Sequence, residues 1–71
     1  MVTGDKLIKC IKGVNNDTLS SITFKVLIGQ LQTLINYNKN SERTVITKFE
    51  EFVKRYGHLE SVKADLDKYF K

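Results

Sequence analysis

The chain has no proline, no tryptophan, one cysteine (Cys10) and one histidine (His58). A lone cysteine excludes an intrachain disulfide and is compatible with a reducing compartment. One Cys and one His cannot build a closed zinc site, so no metal or other cofactor is expected. A Cys10–His58 nucleophile–base pair would need folding to bring the two into hydrogen-bond reach, and a third group to orient the imidazole. Cys10 adjoins an apolar helix face, where a free cysteine behaves as a small hydrophobe. His58 directly follows Gly57, a common place for a turn residue. No enzymatic activity is expected from this pair.

The glycines, Gly4, Gly13, Gly29 and Gly57, are scattered, and none falls in a G-x-x-x-x-G-K phosphate loop. The longest uninterrupted apolar run, Val26 to Ile28, is far shorter than the roughly 20 residues needed to cross a bilayer. The start, MVTGDKLIK, has neither a long apolar run nor a small-residue cleavage site, so it is not expected to act as a signal peptide. These absences together predict a soluble cytoplasmic protein with no membrane partner.

What is present is small and basic. At 71 residues and 8.2 kDa the chain is one domain, near the lower size limit for unaided folding. There are ten lysines against two arginines, five asparagines and one alanine, a bias favoured where coding DNA is AT-rich, as in phages and low-GC bacteria. Net charge is +4. It is unevenly placed: residues 1–48 carry seven basic and three acidic side chains, and residues 49–71 carry five of each. An anionic partner should meet the first two thirds.

The most apolar stretch is LSSITFKVLIGQLQTLINY, residues 19–37. Between Ser21 and Gly29 it alternates as a strand would. A lone strand cannot satisfy its backbone groups, and neither a second alternating run nor an Asn-Gly or Asp-Gly hairpin turn is found elsewhere. At about 100° per residue, Ser21, Lys25, Gln32 and Asn36 fall in one narrow wedge beside Gly29, opposite the Leu, Ile and Phe residues. The spacing predicts a central helix over 17–38 with that wedge as its wet stripe, and with Asn16, Asp17 or Thr18 capping its start.

Leu7, Ile8, Ile11 and Val14 predict a short helix over 5–12, ended by Gly13. Val45, Ile46, Phe49, Phe52, Val53 and Tyr56 keep a clean helical stripe over 42–56. Ser41 or Asn40 would cap it, and Gly57 would stop it. Leu59, Val62, Leu66 and Phe70 mark a fourth helix over 59–70. Four amphipathic segments joined by short turns predict an all-α fold in a compact four-helix arrangement.

Three functional patterns follow. The join FVKRYGHLESVKADL has the outline of a helix-turn-helix. Its second helix, however, carries Glu60, Asp65 and Asp67, which phosphates would repel, and His58 stands where such motifs bury an apolar residue. The doublets Glu50-Glu51 and Asp65/Asp67 are expected to face solvent. The basic set carries more. Lys6, Lys9 and Lys12 recur every three residues, and Lys39, Arg43 and Lys48 occupy the third helix and the turn before it. If these two regions lie side by side, six positive charges form one surface for nucleic acid, single-stranded or structured. Tyr37 and Tyr56 stand beside Lys39 and Arg55, where a ring can stack on an unpaired base. The expected function is a small non-enzymatic accessory protein binding nucleic acid with little sequence specificity. The alternative is a protein-binding adaptor or inhibitor using an apolar face, with Gly29 allowing another backbone close approach.

Overall fold

Each of the four segments forms a helix. A computed structural model describes residues 4–37 and 42–70. The elements are α1 (Gly4–Gly13), a 3₁₀ turn (Asn16–Thr18), α2 (Ile22–Tyr37), α3 (Glu42–Tyr56) and α4 (Glu60–Tyr69). There is no strand among the described residues. The alternation over residues 21–29 is therefore helical sequence, and the all-α arrangement stands. The expected caps Asn40 and Ser41 of the third helix lie outside the described residues.

Phenylalanine joins three of the helices. Phe24 of α2 is fully buried and lies 5.1 Å from the Phe52 ring, 6.1 Å from Phe49 and 5.8 Å from Phe70. Phe49 and Phe70 are themselves 4.9 Å apart. All four phenylalanines of the chain thus meet in one cluster, at ring spacings typical of favourable aromatic pairs. Leu7, Ile11 and Val14 extend this core under α1, which packs on both α2 and α3.

The start of α2 corrects the sequence reading. The chain does not run as one helix from residue 17. Asn15 caps the 3₁₀ turn, its Oδ1 accepting from the Asp17 amide at 3.0 Å. Leu19 is buried, Ser20 is in a bend, and α2 begins only at Ile22. Its capping side chain is Ser21, whose Oγ accepts from the Phe24 amide at 3.1 Å. The preceding amides are served from across the fold. Asp65 of α4 accepts from the Ser20 N–H at 3.0 and 3.1 Å and from the Ser21 N–H at 3.0 Å. Asp65 is only 3% exposed. It is not one half of a solvated doublet but an internal partner for the amides leading into α2. Asp67 does face outward.

The wet stripe of α2 is corrected too. Ser21 is buried, and Gly29, Lys25 and Gln32 are half-buried. A Cβ on Gly29 would meet the Asn16 side chain at 3.2 Å, so what approaches this glycine is the chain's own 3₁₀ turn. Gln32 Nε2 donates to the Ile11 carbonyl at 2.8 Å and to the Val14 carbonyl at 2.7 Å. The Ile11 carbonyl, in the last turn of α1, also accepts from the Val14 amide at 3.3 Å, and the Val14 carbonyl lies just past the end of the helix. The polar wedge therefore faces the α1 end and the turn after it. Of the expected wet residues only Asn36 is exposed, and water mostly meets another face, where Ile22, Thr23, Val26, Gln30, Thr33 and Tyr37 are exposed.

The last connection is short. α3 ends at Tyr56, where the Gly57 amide donates to the Val53 carbonyl at 2.8 Å. A Cβ on Gly57 would run into that same carbonyl oxygen, so glycine is required here for close approach. Leu59 holds the N-cap position of α4 with no side-chain cap, and Tyr69 at the far end ties back to the 3₁₀ turn through a 2.8 Å contact with the Thr18 hydroxyl.

Candidate nucleic-acid interface

The apolar stripe of α1 turns Leu7 and Ile11 inward, which leaves Lys6, Lys9 and Lys12 on the outer face; all three are exposed. The N-terminal end of α1 abuts the first turns of α3. A Cβ on Gly4 would lie 2.8 Å from Ile46 Cδ1 and 3.0 Å from Glu42 Oε1. Arg43, exposed, follows the residue that touches α1. The N-terminal end of α1 and the first turns of α3 are therefore neighbours in space, whereas Lys12, at the other end of α1, lines a recess with Gln32 and Asn36 of α2. Asp5 and Glu42 are the acidic residues in the same neighbourhood. Lys39 lies outside the described residues.

Lys48 is exposed but parts from this group. It is five residues beyond Arg43, which at about 100° per residue turns it roughly 140° around α3. It lines a shallow groove between α2 and α3 with Leu27, Glu51, Phe52, Arg55 and Tyr56. Arg55 thus stands with Lys48, two turns further along one flank. Their seven-residue spacing is the signal that would have added Arg55 to the basic set. Glu51, between them on the same flank, offsets part of their charge.

The two tyrosines differ. Tyr56 is half-buried with its ring 4.9 Å from that of Phe52, so it serves as a rim of the core. Tyr37 is 87% exposed at the end of α2.

Among the described residues no group of three or more His, Cys, Asp or Glu is placed to hold a metal ion. Cys10 is half-buried and packs against the hydrophobic core, and His58 is exposed. On the second helix of the helix-turn-helix outline, Asp65 points inward to the α2 start, while Glu60 and Asp67 are exposed. No helix among the described residues is long and apolar enough to cross a membrane. No protein-family model, curated protein or solved structure matches the chain.

Proposed function

We propose that this is a small non-enzymatic accessory protein that binds nucleic acid with little sequence preference. The supporting observation is the seating of the N-terminal end of α1 against the start of α3, with Lys6, Lys9, Lys12 and Arg43 all exposed. Lys39 belongs to the same set by sequence, and Lys48 adds a contact on the other flank of α3. Lysines on a convex helical face offer point charges to phosphates and no planar readout of base edges, so affinity without strong sequence choice follows.

The test is a salt titration of binding to single-stranded, duplex and branched oligonucleotides. Each phosphate contact releases counterions, and on duplex DNA the logarithm of the binding constant falls with log salt by about 0.9 per contact. Lys9→Glu with Arg43→Glu should weaken binding at low salt by more than about tenfold and flatten the slope by about 2. Lys48→Glu should do less. Absence of binding at low salt, or indifference to the paired reversal, overturns the reading.

A further inference from the structure

The groove between α2 and α3 sets an apolar floor beside a cationic edge. Leu27 and Tyr56 are half-buried, Phe52 is buried, and the rings of Phe52 and Tyr56 lie 4.9 Å apart. Lys48 and Arg55, both exposed, line the same groove from α3. At about 100° per residue, the order around α3 from the core outward is Tyr56 and Phe52, then Lys48 and Arg55, then Glu51. A nucleotide has the matching order, a flat ring with apolar faces at one end and a phosphate at the other.

Size and charge narrow the occupant. The groove holds about 200 Å³, less than the roughly 300–1,000 Å³ of sites that enclose a drug-sized ligand. It suits a single ring system entering from the open side. Every repeat of a nucleic acid couples one such ring to one negative charge, so any register of the strand can fill the groove. A peptide does so only where an acidic and an aromatic residue adjoin. The net charge of +4 favours the uniformly anionic polymer. In a duplex the bases are paired and stacked, and one would have to be flipped out to enter. A single strand has no such cost to meet.

We infer that this groove is a subsite for one unpaired base, which makes single-stranded nucleic acid the preferred partner. The base stacks on Tyr56 at the rim, above Leu27 and Phe52, and Lys48 and Arg55 take the flanking phosphates. Glu51, beyond the two cations, weakens the phosphate contact without reaching the floor. Stacking accepts any base, so the subsite adds strand selectivity with little sequence preference. The inference rests on the nucleic-acid reading and adds to it a second surface, on the flank of α3 away from Arg43.

The test compares three ligands of one length, about 12 nucleotides, within the usual site sizes for single strands. They are oligothymidylate, the same strand built from abasic sites, and a duplex. Fluorescence anisotropy with the full chain at low salt reads each affinity. Oligothymidylate should bind at least about fivefold more tightly than the abasic strand, the lower end for one stacked base, and more tightly than the duplex. Lys48→Ala with Arg55→Ala, at two exposed sites, should keep the helical circular-dichroism spectrum. It should flatten the salt slope on oligothymidylate by about 1.4, at about 0.7 per phosphate contact. Tyr56→Leu keeps an apolar side chain at the rim and should bring oligothymidylate down to the level of the abasic strand. Equal binding of all three ligands that Lys9→Glu with Arg43→Glu abolishes overturns the subsite and leaves the nucleic-acid reading standing. A preference for bases that neither Tyr56→Leu nor the paired alanines reduce also overturns the subsite. Absence of binding to all three ligands overturns both readings and leaves the groove to an acidic, aromatic peptide.

Discussion

The Asp65 carboxylate lies 3.0 Å from the backbone nitrogen of Ser21, a residue 44 positions earlier in the chain. With the two contacts to the Ser20 amide, one side chain of α4 settles the backbone leading into α2. Asp65→Ala would leave these donors unsatisfied, one of them buried, at an expected cost of about 2–3 kcal/mol. A domain of this size has a total stability on the order of 4–10 kcal/mol, from about 0.05–0.15 kcal/mol per residue. The loss is therefore a large share, and urea denaturation should show a clear drop in midpoint. Asp65→Asn keeps one accepting oxygen and should lose less. Asp67→Ala, two residues on but outward-facing, should cost less than about 1 kcal/mol. Equal losses at 65 and 67 would contradict the capping role.

Gln32 does the corresponding work for the end of α1. Its amide donates to both the Ile11 and Val14 carbonyls, so Gln32→Leu should cost about 1–3 kcal/mol despite adding apolar surface. Gln32→Glu has the same length but no donor when ionised, and should be at least as harmful. Hydrogen exchange read by helix distinguishes this from general loosening. Protection should fall first in α1, which Gln32 holds, and later in α3.

The contact between Tyr69 and Thr18 should be visible in the alkaline limb. The Thr18 hydroxyl, with smaller help from Lys68, favours the phenolate and holds the Tyr69 pKa below its ordinary value of 10.0. Ultraviolet titration should show an early tyrosine component that Tyr69→Phe removes and Thr18→Val moves back toward the usual range. An acid with a depressed folded-state pKa adds stability that is full only above the unfolded value and is lost as pH falls through the folded one. Tyr69 ionisation should thus favour the folded state only at alkaline pH and leave neutral-pH stability unchanged.

The parts of the fold legible in sequence are those set by local periodicity. The stripe from Val45 to Tyr56 gave α3 its bounds, and Gly57 marked its end through a close approach that any side chain would block. The sequence also separated the three lysines of α1 from its apolar face correctly. It failed where a helix is apolar over most of its circumference. In α2 the apolar residues point nearly all round, so the pattern only weakly selects an inward direction. Polarity alone predicts Ser21 and Gln32 to face water. They turn inward because backbone groups there need partners: an unsatisfied buried group costs about 1–3 kcal/mol. Gln32 answers the Val14 carbonyl and adds a second donor at that of Ile11, while exposing Val26 forfeits roughly 1.5–3 kcal/mol at most.

The candidate site divides along the same line. That Lys6, Lys9 and Lys12 face outward follows from α1 alone. That the start of α3, where Arg43 is exposed, meets the N-terminal end of α1 required the seating of α1 on α3, which no helix specifies by itself. The sequence by itself determined the helical class, the four segments and the basic excess, because these depend on spacing within a segment and on totals. Only the tertiary structure decided which side of α2 meets water, that Asp65 is internal and how the positive charges divide, because those depend on which orphan backbone groups lie close enough to claim each polar side chain.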